Sequence, residues 1–141
     1  MHRQNLLRLV QAFVLVLVIT VVLIGCATIS EQSRMTEFEK ISRRYRALVL
    51  LSEFEAAYRF TDTENMIEDV NLDALKNIKV TDYALKSYYI SNDKLEINQS
   101  VKMEYHRLDI YRVRTILDKQ VWKYDEEKET WVLQTGLPRF E

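Results

Sequence analysis

After Asn77 the apolar residues of this chain change their period, and that change decides what it can fold into. Before it, Phe38, Ile41, Tyr45, Leu48, Leu51, Phe54 and Tyr58 recur at intervals of three or four, which lines one face of an α-helix. Beyond it, Leu95, Ile97, Val101, Met103 and Tyr105 follow a spacing of two, as do Trp131 and Leu133, the mark of strands with one buried face. The spacing predicts a helix over 36–60, opened by Thr36 and Glu39 as a capping box. Its other face holds Glu39, Lys40, Arg43, Arg44 and Glu53, so the helix is amphipathic and must lie on something. Short helical turns are expected near Met66 and over 72–75, with Asp62 and Asn71 as caps. Four strands follow: Ile78 to Ile90, Leu95 to Tyr105, Ile110 to Tyr124 and Thr130 to Thr135. The residues between them, Ser91 to Asp93, His106 to Asp109 and Asp125 to Glu129, are few enough for hairpins.

An antiparallel sheet with one apolar face needs a cover, and the helix stripe is the only large apolar surface left. The expected fold is therefore α+β, a long N-terminal helix packed on a curved, four-stranded antiparallel meander. In the third strand Val113, Leu117 and Val121 take odd positions while Ile116, Trp122 and Tyr124 take even ones, and a bulge or strong bend there would reconcile the two sets. At the end of the chain Gly136 permits a turn, Pro138 stops further pairing and Phe140 can fold back onto the sheet.

The first 25 residues carry a different message. Arg3 and Arg8 give a positive start, Leu9 to Ile24 hold no charge, and Gly25, Cys26 and Ala27 are small, the layout of an export signal. Leu23, Ile24, Gly25 and Cys26 resemble the lipobox of bacterial lipoproteins. The resemblance implies cleavage between Gly25 and Cys26 and a diacylglycerol on the Cys26 sulfur. Each buried methylene adds about 0.8 kcal/mol, so a cysteine with two or three acyl chains is held firmly. Cys26 is the only cysteine, and with its thiol acylated no disulfide can form. Ala27 stands where lipoproteins retained at the inner membrane usually have Asp, which points to the periplasmic face of the outer membrane. The organisation expected is a cleaved signal over 1–25, a lipidated tether over 26–35 and a domain over 36–141. The alternative is an uncleaved single-pass anchor, because a stretch of about 20 apolar residues can span a bilayer.

Within the domain, Val80-Thr81-Asp82-Tyr83, Arg112-Val113-Arg114-Thr115, Gln120-Val121-Trp122-Lys123-Tyr124, Trp131-Val132-Leu133 and Leu137-Pro138-Arg139-Phe140, in that order after a helix, resemble small proteobacterial lipoproteins with an NTF2-like (cystatin-like α+β) domain. The resemblance implies a cone whose sheet wraps a helix, with or without a pocket. Such domains host enzymes and non-catalytic modules alike, so the fold leaves function open.

Composition narrows the chemistry. Formal net charge is −1, which gives no pull on nucleic acid. His106 is the one histidine beyond the leader and falls in an expected turn, where a solvated side chain is the plain reading. No Cys pair or His/Cys cluster exists to hold a metal, and two glycines in the whole chain cannot build a phosphate loop. No catalytic residue and no cofactor is assigned. Tyr83, Tyr105, Arg112 and Trp122 are the candidates for lining a ligand pocket; Asp82 reads as an exposed acid beside a core ring. Arg107, Arg112 and Arg114 neighbour Glu104 and Asp109, so charge pairing across strands is preferred to a basic patch on anionic lipid. The functional expectation is a lipid-anchored, non-catalytic binding or assembly-accessory module of the envelope, with the membrane and an envelope protein as partners. A small-ligand pocket protein, enzymatic or not, is the alternative.

Overall fold

A computed structural model describes residues 8, 11, 13–14, 31–63, 70–110 and 112–140. The lipobox, Leu23 to Cys26, lies outside them. Contacts divide the chain into two units, residues 1–36 and 37–141. In the first, Arg8, Gln11, Phe13 and Val14 are helical and exposed, and residues 31–36 are helical. Among the described residues no helix is long and apolar enough to cross a membrane.

Helix α1 covers residues 31–50, so it starts ahead of Thr36 and ends well short of residue 60. Thr36 is no cap: its hydroxyl donates to the Gln32 carbonyl at 3.0 Å, a bond made one turn back inside a helix. The early end has a definite cause. Ser52 takes a left-handed φ of 60°, its N–H reaches the Val49 carbonyl and the Glu53 N–H reaches that of Leu48, both at 2.9 Å. This pair of bonds is a Schellman stop. Left-handed backbone costs a non-glycine residue about 1 kcal/mol or more, and Ser52 offsets this by accepting the Val80 N–H on its hydroxyl at 3.1 Å. The apolar stripe resumes in α2, Phe54–Tyr58, and α3 follows at Leu72–Leu75, capped by Asn71, whose side chain accepts from the Ala74 N–H at 3.1 Å. The Asp62 N–H donates to the Leu133 carbonyl at 2.9 Å; the turn it was expected to cap, around Met66, lies outside the described residues.

Four strands form one antiparallel sheet in sequential order: β1 Ile78–Ile90, β2 Glu96–Arg107, β3 Val113–Asp125 and β4 Thr130–Leu133. The long N-terminal helix packs on this meander, giving an α+β fold. β2 shows a clean alternation with Ile97, Gln99, Val101, Met103 and Tyr105 buried, so these point to the helix. The expected bulge in β3 is absent. Its register with β2 runs unbroken from Lys123 opposite Glu96 to Val113 opposite His106, which turns Ile116, Trp122 and Tyr124 inward and leaves Val113 and Leu117 outward, at 61% and 60% exposure. The irregularities lie in β1 instead, between Val80 and Asp82 and between Leu85 and Ser87. His106 is a strand residue, since β2 continues through Arg107.

Rings fill the space between α1 and the sheet. The Phe38 ring lies 5.9 Å from Trp122 and 5.2 Å from Trp131, and Tyr45 lies 5.3 Å from Trp122, all edge-on. The outer side of β4 is closed by residues 60–62: Thr61 bridges Leu133 in parallel, and the Leu133 N–H donates to the Phe60 carbonyl at 2.7 Å. Past β4, Gly136 turns with φ 75°. Phe140 then folds back, its ring 5.4 Å from Phe54 and 4.9 Å from Tyr105.

Candidate functional site

Beneath α1 the apolar core is interrupted by a polar knot centred on Gln120, which is 1% exposed. The sheet register places it. Gln120 of β3 pairs with Gln99 of β2, and both are on the inward parity of their strands. The Gln120 side-chain oxygen accepts from the Gln99 amide at 2.6 Å and the Tyr83 hydroxyl at 3.1 Å, with the Trp122 indole N–H at 3.5 Å. Two donors saturate an amide oxygen, so the indole bond is the weakest of the three. The Gln120 amide nitrogen donates to Asp118 Oδ2 at 2.7 Å.

Burial shapes the ionisable members of this cluster. It raises the Asp118 carboxyl above its ordinary value, with the Gln120 hydrogen bond pulling the other way. It also lifts the Tyr83 phenol, over whose ring the Arg46 guanidinium stands at 5.6 Å. Tyr45 is raised as well, first by burial and then by the nearby Asp118 and Tyr83. Its hydroxyl is buried without a hydrogen-bond partner. Such an atom ordinarily costs about 1–3 kcal/mol. Chemically, the knot can hold a carboxyl that protonates more readily than a solvated one and can orient two phenols and two amides toward the same few ångströms.

Of the four residues singled out in the sequence, the structure gathers two. Tyr83 and Trp122 meet at Gln120. Tyr105 is buried farther along β2, 4.9 Å from Phe140, and Arg112 is exposed just ahead of β3. Gln99, Gln120, Asp118 and Tyr45 were not anticipated. The available signal was a glutamine on an apolar parity, Gln99 between Ile97 and Val101. Asp82 is exposed and Tyr83 buried, as expected. The charged hairpin pairs within its own chain segments: Arg107 donates to Asp109 through Nε at 3.1 Å and Nη2 at 2.8 Å, and Lys102 meets Glu104 at 2.8 Å.

Among the described residues, hollows open beside β4 and between α2 and α3, and none of the four candidate residues lines either. One, about 590 Å³, runs beside β4 between residues 59–63 and 123–134. Its walls carry Thr61, Thr63 and Thr130 together with opposed charges; Lys128 sits 3.5 Å from Asp125, and Lys123 is 3.6 Å from Glu96. Paired charges and hydroxyls suit an uncharged, hydrogen-bonding chain better than a compact anion. The other, about 440 Å³, lies between α2 and α3, with Phe54, Leu72, Lys76 and Arg59 at its walls. Among the described residues no group of three or more His, Cys, Asp or Glu is placed to hold a metal ion. Comparison with family models, curated proteins and solved structures finds no match to the chain.

Proposed function

We propose that this protein is a lipid-anchored binding or assembly-accessory module of the bacterial envelope, held through acylated Cys26 at the periplasmic face of the outer membrane, with an NTF2-like domain that engages an envelope protein through its surface. The observation that carries this reading is where space is left. Tyr45 and Trp122, each 0% exposed, occupy the room under α1, while the groove beside β4 is open and lined by groups that can hydrogen-bond a polypeptide. The lipobox at Leu23 to Cys26 supports the anchor, and a helix laid on a four-stranded meander supports the NTF2-like assignment.

The test has two arms. Intact-mass analysis of the natural product is expected to find a chain starting at Cys26 with diacylglycerol attached; a retained leader with a free thiol would favour the uncleaved anchor. A photo-crosslinking residue at Thr63, in the groove, is expected to capture one defined envelope protein, whereas the same residue at Lys119, which does not line it, is not. Equal capture at both positions would overturn the groove as binding surface.

A second reading, a small-ligand pocket of NTF2-like type, is favoured by the unpartnered Tyr45 hydroxyl near Asp118. Native mass spectrometry distinguishes it: a retained small molecule that disappears in Gln120→Leu would place the ligand at the knot.

A further inference from the structure

Exposure along β1 is uneven. In its first half Ile78, Val80 and Tyr83 are buried, yet in its second half Leu85, Tyr88 and Tyr89 are 55%, 44% and 60% exposed. Leu85 stands opposite Val101 and Tyr88 opposite Gln99, on the helix side, while Tyr89 stands opposite Asn98 on the other side. The three side chains therefore wrap a strand that pairs only with β2 among the described residues. Lys86, exposed, lies at the strand irregularity among them, and Glu39 of α1 is near enough to Tyr88 to raise its phenol, after burial.

The position of this patch in the chain says what covers it. Phe38, one residue after the second unit begins, has its ring 6.3 Å from Tyr88. Cys26 lies twelve residues upstream, and even a fully extended chain of that length spans only about 40 Å. An acyl group on Cys26 thus confines the patch near the bilayer at high effective concentration. Leu108 and Ile110, exposed apolar side chains of the turn between β2 and β3, sit at the far end of the sheet, about 33 Å away along the strand.

We propose that Leu85, Tyr88 and Tyr89 form a membrane-contact patch that seats the domain on the headgroup region of the bilayer holding Cys26. The proposal rests on the lipid-anchor reading above. Tyrosine suits that layer because its ring is apolar and its hydroxyl finds water or phosphate. Exposed Lys86, and Glu39 near Tyr88, offer both signs of charge, which fits zwitterionic phospholipid better than an anionic surface.

The experiment uses the full acylated protein in vesicles of phosphatidylethanolamine and phosphatidylcholine. With the native thiol blocked by its lipid, Tyr89→Cys accepts an environment-sensitive fluorophore, and Leu108→Cys provides the far-end control. Brominated phospholipid is expected to quench the label at position 89 several-fold more than at 108, and the added change Leu85→Ser with Tyr88→Ser is expected to reduce that difference. No quenching at 89 in protein whose mass shows acylated Cys26 overturns the patch alone. Equal quenching at both positions overturns it as well, and crosslinks between two labels at 89 would replace the bilayer with a second copy. Preferential quenching at 89 in protein that retains its leader would keep the patch and overturn the lipidation.

Discussion

The space under α1 holds two neighbouring regions built on opposite chemistry. Toward the Phe38 end, Phe38, Tyr45, Trp122 and Trp131 interlock edge-on at 5.2–5.9 Å, a packing in which each ring pair adds about 0.5–1.5 kcal/mol beyond the area it buries. A few residues along β3, the same depth of burial is given to Gln99, Gln120 and Tyr83, which gain little from area and depend on each other for hydrogen bonds. The aromatic region tolerates the loss of any one neighbour by degrees. The polar region does not, because removing Gln120 strands several donors at once.

The largest effect is expected on the aromatic side. Trp122→Ala should destabilise the fold by about 3–5 kcal/mol, and Trp131→Ala by a similar amount, as large-to-small aromatic truncations do. Urea unfolding monitored by circular dichroism measures both. A loss under about 1 kcal/mol at each would mean that the rings contribute far less than their burial implies.

Gln120→Leu keeps the volume but takes the acceptor away from Gln99 and Tyr83 and the donor away from Asp118. A cost of about 2–4 kcal/mol is expected from the stranded groups. The sharper form of the test adds Gln99→Leu and Tyr83→Phe to the same chain. Replacing all partners together should recover part of the loss, because the Gln99 and Tyr83 donors are then gone and only the Trp122 indole N–H, the weakest of the three bonds, loses its acceptor. Simple additivity of the three changes would show that the knot is not a unit.

Much of this contrast was legible before the structure, though not the knot itself. β1 runs from Ile78 to Ile90 as expected, and Trp122 and Trp131 are buried. The break at Ser52 was hidden because nothing about serine marks a left-handed residue; the Val80 N–H that stabilises it is 28 residues away. The supposed bulge in β3 came from assuming that Val113, Leu117 and Val121 must be covered, whereas the sheet leaves all three on its outer face. Gln99 betrayed itself as a polar residue at an apolar position. Its partner Gln120 could be found only from the register, which no local pattern encodes.

Asp118 extends the comparison to pH. Its carboxyl is raised in the folded chain, chiefly by burial, so the native state holds that proton more tightly than the unfolded state does. The stabilisation is fully present below the ordinary aspartate range and is lost as pH rises from there through the raised value. Asp118→Asn keeps an acceptor for the Gln120 amide and removes the titration. The stability of the variant relative to the native chain should therefore improve between acid and neutral pH, by less than the Gln120 effect. Urea midpoints across that range check it, and parallel pH profiles would show that solvent reaches Asp118 freely.

The smallest effect is expected where the two regions touch. Tyr45 belongs to both: its ring packs on Trp122, and its hydroxyl points into the polar side without a partner. Tyr45→Phe keeps every ring contact and removes only the stranded group, so it should leave stability unchanged or raise it by up to about 1 kcal/mol. A loss above about 1 kcal/mol would mean that the hydroxyl is satisfied in solution, since only a formed hydrogen bond is forfeited at that cost. The two-region division would then give way to one continuous network, with Tyr45 as its link.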